Sequence, residues 1–263
     1  MVKVPTALVL KAPGTNCDEE TKTAFELVGC HTEIVLMEEL YRGEIELNRF
    51  HILIFPGGFS YGDDIAAGKV WATEIEHSLR EKIEHFIKEG KLVLGICNGF
   101  QVLVKLGILP ALNRKIEQSV SLITNDSARY EDRWVFLKSI SKKSVFVKNT
   151  EKLFYIPVAH TEGKFVARDN NTLKKLFDDK QVIFQYVDRK GMTGGYPINP
   201  NGSVRNIAGI CDTTGRVLGM MPHPERAILV TQYPNWRRNR VNSSMMGLTI
   251  IKNAIHYIKT SLL

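Results

Sequence analysis

The 263-residue sequence has only four cysteines, Cys17, Cys30, Cys97 and Cys211, and no two of them form a CxxC pair. That scatter excludes a structural zinc site and a disulfide framework, and it implies a reducing compartment. No apolar run is long enough to cross a bilayer, and the opening MVKVPTALVL is too short and too β-like for a signal peptide. A soluble cytoplasmic protein with no membrane partner is expected. There is no Pro- or Ser-rich linker and no internal repeat, so residues 1–263 are expected to form one domain, within the size range of a single α/β unit. A P-loop is also missing, so nucleotide chemistry of that kind is not expected on this chain. Positive charge is in moderate excess, with a formal net charge of +7. WRRNR at 236–240 adds a basic cluster with an aromatic, yet Lys and Arg are otherwise spread among Asp and Glu without a nucleic-acid motif. No nucleic-acid partner is expected, and the cluster reads as solvated surface or as a loop that docks a partner or an anion.

What is present is an alternation of short apolar runs with amphipathic ones. TALVLK (6–11), EIVLM (33–37), HILIF (51–55) and KLVLGI (91–96) read as strands. DEETKTAFELVG (18–29) reads as a helix closed by Gly29, and a long helix over 69–88 carries Ala72, Ile75, Leu79, Ile83, Phe86 and Ile87 at steps of three and four. Such alternation gives right-handed crossovers and a parallel sheet covered by helices. The second half is richer in strands: SVSLIT, RWVFLKSI, KLFYIPVAH, VIFQYV, NIAGIC and VLGMMPHPE. A turn-rich loop at 191–203 interrupts them. A helix over 243–262 follows, burying Met246, Ile250, Ile251, Ala254, Ile255 and Ile258. Three Gly-containing turns, at 12–16, 56–64 and 95–99, fall at the carboxyl ends of strands, where α/β sheets bind ligands, and should converge on one cleft.

The sharpest local feature is KLVLGICNGFQVL at 91–103, in which Cys97 sits between Gly95 and Gly99 where a buried strand gives way to a helix. Free N–H groups and the helix dipole favour a thiolate at that position, and glycines on both flanks allow a sharp turn. A buried cysteine acting as a small hydrophobe is the alternative, but its place at the turn favours a nucleophile.

Such a thiol needs a base, and the base needs a group that fixes its tautomer. His223 lies in MMPHPER between two prolines that keep the segment extended, so Glu225, two residues on, points the same way and can orient the imidazole. His160 in PVAHTEG, with Glu162 two residues on, has the same local geometry and is a rival. Attack on an amide creates an oxyanion that requires two N–H donors. Asn98, the residue after the nucleophile, supplies one. Gly57 and Gly58 in PGGFS, where no Cβ blocks close approach, are candidates for the other.

PGGFSYGDD, GICNGFQVL and MPHPER, in that order, resemble the glutaminase (PurQ-type) subunit of phosphoribosylformylglycinamidine synthase, a class I glutamine amidotransferase of purine biosynthesis. APGTNCDEE, VAHTEGKF, NPNGS and IAGI add to the resemblance, which runs from about residue 12 to 226. It implies an α/β fold with a flavodoxin-like, mostly parallel sheet flanked by helices and added antiparallel strands in the second half. It implies Cys97 as nucleophile, His223 as base and Glu225 as orienting carboxylate. Gly57, Gly58, Phe59, Asn98 and Gln101 would line the oxyanion and substrate site, with Gln101 helping to hold glutamine, while His160 becomes a wall of the cleft. The reaction implied is glutamine hydrolysis through a thioester, with ammonia passed to a large synthase subunit that uses ATP and Mg. A small accessory subunit often joins that complex. No metal or cofactor is expected on this chain. The segments 172–181 and 231–240 match no motif of the family. Another elbow-cysteine hydrolase, such as a peptidase or glyoxalase-like enzyme, and a non-catalytic scaffold subunit are the alternatives.

Overall fold

Apolar runs without polar alternation make strands that are covered on both faces, and here they form the middle of the sheet. The chain is seen in a computed structural model that describes residues 4–148, 150, 153–234, 236–238 and 246–263. The first half contains β1 (Thr6–Lys11), α1 (Asp18–Glu26), β2 (His31–Leu36), α2 (Met37–Tyr41), β3 (Ile52–Phe55), α3 (Lys69–Ser78), α4 (Arg80–Lys88), β4 (Leu92–Ile96) and α5 (Asn98–Lys105). There follow β5 (Val120–Ile123), β6 (Glu131–Ser139), β7 (Leu153–His160), β8 (Lys164–Ala167), α6 (Asn170–Asp178), β9 (Val182–Val187), β10 (Ile207–Cys211), β11 (Val217–Met220) and α7 (Met246–Ser261).

Nine strands form one sheet in the order β2-β1-β3-β4-β11-β10-β9-β6-β7. From β2 to β11 the neighbours are parallel, and from β11 to β7 each pair is antiparallel. The central strands β3 and β4 are buried along their whole length. Helices α3 and α5 pack against one another, as do α1 and α7. The antiparallel extension brings β7, the last strand in the order, back toward the carboxyl end of β11: the His223 amide donates to the Pro157 carbonyl at 2.8 Å.

Several boundaries differ from the sequence reading, each for a local reason. The first helix ends at Glu26, and residues 27–29 unwind as turns into Gly29 at φ 80°. The helix expected over 69–88 is two helices. Leu79 leaves helical geometry at φ −126°, ψ −6°, and the Ser78 hydroxyl bonds back to the Glu74 carbonyl at 2.7 Å, a bond that bends helices. SVSLIT does not join the main sheet, because β5 pairs with β8 in a separate two-stranded ladder. The unmatched segment 172–181 is mostly α6, whose first turn is capped by the Asp169 side chain accepting from the Thr172 amide at 2.7 Å. Of the other unmatched segment, residues 231–234 and 236–238 are described and Arg240 lies outside. Arg237 stacks its guanidinium over Trp236, 5.2 Å from the ring centroid. Of the residues expected to be buried by the last helix, Met246 is only partly covered, and 243–245 lie outside the described residues.

The tightest packing lies under α5. A Cβ added at Gly99 would stand 2.0 Å from the Phe55 carbonyl oxygen, far inside contact distance and against backbone that cannot swing away. Gly99→Ala should therefore destabilise the fold by about 2–3 kcal/mol, as overpacked cores do. A thermal melt that matches the native chain would show that α5 can slide off β3.

Candidate active site

β4 delivers the chain to Cys97, and α5 begins at the next residue. Cys97 adopts φ 50°, ψ −105°, a backbone state that side-chain-bearing residues rarely enter and that persists only where the surroundings enforce it. The Cys97 amide donates to the Met220 carbonyl at 2.8 Å, and the Cys97 carbonyl accepts from the Gln101 amide at 3.1 Å, so β11 and α5 hold the turn from both sides. The thiol is nearly buried, 3.6 Å from the Ala159 carbonyl of β7.

His223 and Glu225 are fully buried, and the imidazole Nδ1 lies 2.6 Å from Glu225 Oε1. The contact does not arise from an extended segment, as the prolines implied. Residues Pro224–Arg226 form a 3-10 turn with His223 as its extended N-cap, and the turn swings the carboxylate under the ring. Burial pulls the His223 pKa down. The Glu225 carboxylate, and then the Cys97 and Cys17 thiols, more than reverse this and hold it well above the ordinary value. Nε2 has no hydrogen-bond partner among the described residues, so the edge of the ring opposite Glu225 is the one left to exchange a proton.

The loop at 57–59 is placed by the 12–17 turn. Thr15 and Gly58 form an isolated antiparallel bridge, the Cys17 amide donates to the Gly57 carbonyl at 3.3 Å, and the Phe59 amide to the Gly14 carbonyl at 3.2 Å. Gly58 has φ 136°, and a Cβ at Gly57 would stand 2.7 Å from His223 Cε1, so side chains are excluded at both. The Phe59 amide is committed to Gly14. Phe59 itself is 43% exposed, and its ring centroid lies 6.2 Å from that of Tyr130. Gln101, expected to contact substrate, is buried. Its amide spans Asn98 and the Glu162 carbonyl, at 3.0 and 2.5 Å, and so braces the turn at 160–163.

A family profile for the CobB/CobQ-like glutamine amidotransferase domain matches residues 4–258. The subunit PurQ of phosphoribosylformylglycinamidine synthase from Dehalococcoides mccartyi is 44% identical, over 98% of this chain and 99% of its own. The same subunit from Methanococcus maripaludis is 40% identical, over 98% and 99%. The chain belongs to the PurQ family of glutamine amidotransferases. A solved structure of PurLQS from Thermotoga maritima matches with a TM-score of 0.74 at 29% identity, covering 97% of this chain and 100% of that one. The sheet, parallel in one half and antiparallel in the other, is that of the class I glutamine amidotransferases.

Within this PurQ-family site, His160 is separated from His223 by its surroundings. Its Nδ1 lies 3.1 Å from Asn125 Oδ1, the Asn201 amide nitrogen lies 3.5 Å from Nε2, and the ring is packed under Gly163. Burial, then the charge of His223, push its pKa down to about 3, so it stays a neutral ring at working pH. Glu162 accepts from the Ala67 amide at 3.2 Å instead of pairing with it. The sequence reading also gave no role to Cys17, whose thiol accepts from the Arg226 guanidinium at 3.2 Å and borders His223. Burial drives the pKa of that thiol up to about 11. Cys17, Glu20, His223 and Glu225 bring four donor atoms within 4.8 Å of one another, a mixed set of one thiol, one imidazole and two carboxylates. Arg226, bonded to both Cys17 and Glu20, already supplies the positive charge there.

The depressed His160 has a consequence for acid stability. The unfolded chain takes up a proton near pH 6.5 that folded His160 refuses until about pH 3. Its contribution is thus complete above 6.5 and lost as the pH falls toward 3, at up to about 1.4 kcal/mol per unit. His160→Gln should flatten the urea-derived stability profile between about pH 6 and 4 by about 2 kcal/mol. An unchanged slope would place the acid sensitivity elsewhere.

Proposed function

We propose that the chain hydrolyses the side-chain amide of glutamine at Cys97. The observation that carries this is the thiol held at a strained strand-to-helix turn beside a buried His223–Glu225 pair at 2.6 Å. His223 takes the thiol proton, and the thiolate attacks the amide carbon. The oxyanion that forms is met by the amide N–H of Asn98 in the first turn of α5, which has no partner within the helix, and by that of Gly58. On collapse the C–N bond breaks, His223 gives its proton to the leaving nitrogen, and ammonia departs. A water molecule, deprotonated by the same imidazole, then opens the thioester to release glutamate and restore the thiol. Glu225 keeps the ring in the tautomer that presents Nε2 and stabilises its charged form.

The ammonia serves a partner. A large synthase subunit, with or without a small accessory one, would use ATP and Mg to convert formylglycinamide ribonucleotide to the amidine, and this chain would carry neither cofactor. The names of the relatives and of the Thermotoga maritima structure support that assignment. All four cysteines are free thiols, and no helix among the described residues is long and apolar enough to cross a membrane. We place the reaction in the cytoplasm. With the acceptor chemistry assigned to the partner, the isolated subunit should be weakly active and be switched on by its partners, which spares ammonia.

Peptide mass spectrometry after exposure to a glutamine-like diazoketone should find the label on Cys97, suppressed by excess glutamine and strengthened by the synthase subunits. Cys97→Ser and His223→Ala should each lower glutamine turnover by about a thousandfold or more. Labelling indifferent to glutamine would return the reading to another elbow-cysteine hydrolase. No labelling under any condition would return it to a scaffold.

A further inference from the structure

The sequence reading assigned a role only to the backbone of Asn98, yet its side chain is one of the most fully engaged polar groups of the site. Asn98 is 1% exposed. Its Nδ2 donates to Asp63 Oδ1 at 2.9 Å and to Gln101 Oε1 at 3.0 Å. Its Oδ1 accepts from the Ser60 hydroxyl at 2.6 Å and from the Ser60 amide at 3.4 Å. A carboxamide has two protons to give and two lone pairs to fill, and all four are used. None is left for a substrate. The side chain therefore acts on its own main chain, fixing where the first amide of α5 points.

The partners come from the loop that follows Gly58, and that loop is strained. Tyr61, Asp63 and Ile65 all have positive φ, at 53°, 55° and 70°, joined by Gly62 and Gly68 at 69°. A plain connector would relax out of these states, and their clustering marks a constraint imposed from outside. The constraint is visible. Asp63 Oδ1 also accepts from the Gly68 amide at 3.3 Å, the Tyr61 amide donates to the Pro13 carbonyl at 2.7 Å, and the Tyr61 hydroxyl bonds Glu74. The same loop that carries Gly58 is thus bolted to the residue that carries the other oxyanion donor.

We propose that Ser60 and Asp63 are positioning residues for the oxyanion hole, acting through the side-chain amide of Asn98. The inference rests on the oxyanion roles given above to Asn98 and Gly58. Replacing the Ser60 hydroxyl or the Asp63 carboxylate would remove one of the two bonds at one end of the buried carboxamide and let the two donors drift relative to each other. A drift of a fraction of an ångström weakens stabilisation of the transition state while leaving the binding of glutamine intact.

The test is steady-state glutaminase kinetics on the chain assembled with its synthase subunits, for the native protein and for Cys97→Ser, Ser60→Ala, Asp63→Ala and Asp63→Asn. Ser60→Ala and Asp63→Ala should lower kcat about 10- to 100-fold with KM within about twofold, and Asp63→Asn, which keeps the accepting oxygen, should recover most of the loss. Alkylation of Cys97 by iodoacetamide forms no oxyanion, so its rate should stay within about twofold in every variant that retains the thiol. A raised KM with unchanged kcat would make the pair substrate contacts and overturn the proposal. So would loss of iodoacetamide reactivity in step with kcat, which is the mark of a merely structural role. Native kcat in both alanine variants, with Cys97→Ser inactive, would sink this inference and leave the proposed function standing. A native complex that fails to hydrolyse glutamine would sink the function itself.

Discussion

The turn from β4 into α5 exists because Gly99 lets the helix backbone rest against the Phe55 carbonyl of β3. No other residue type fits in that gap, and the gap sets the height at which α5 starts. Once α5 sits that low, Cys97 has no room for an ordinary turn and takes up φ 50°, with its amide caught by Met220 at the end of β11. The strain at one residue is thus sustained by packing beneath another. The thiol stands at the mouth of the sheet, the first amides of the helix lie beside it, and β11 leads directly to the prolines that flank His223.

Chemistry at this mouth depends on two thiols in unlike surroundings. Cys17 and Cys97 both influence His223, but Cys17 is packed beneath Gly57 with Arg226 and Asn16 as partners, and burial keeps it protonated. Each of the two precedes a helix, but Cys97 does so in a strained turn at φ 50°, with its thiol 3.6 Å from the Ala159 carbonyl. Arg226 has a further part in this. It ties the residue after Glu225 to Glu20 of α1, so the turn that carries the base is anchored to the opposite end of the chain.

Local pattern made part of this legible. Gly-Ile-Cys-Asn-Gly after an apolar run announces the elbow, since the glycines and the backbone turn that shape it lie within a few positions of Cys97. The apolar strands of the parallel half were readable for the same reason. His223 and His160 were not separable, because each ends a strand with a glutamate two residues on. What distinguishes them is Asn125 and Asn201, which are 35 and 41 residues from His160 and close on its ring only after folding. The break at Leu79 was hidden by an unbroken apolar period. The pairing of β5 with β8 depends on register, which a run of four residues does not announce. The role of the Asn98 carboxamide was hidden too: its partners sit 35 and 38 residues upstream, in a motif that had been read only for its glycines.

Pro157 gives the far strand a second property. β7 ends the sheet, pairing with β6 on one side only, and an unpaired strand edge is a template on which another chain can add itself. A proline in its middle offers no N–H to such a visitor, and its carbonyl is already held by the amide of His223. The bond that seats the base of the proposed reaction therefore also blunts an adhesive edge. Protection from aggregation and assembly of the site are served by one residue, so a change at Pro157 would put both at risk together.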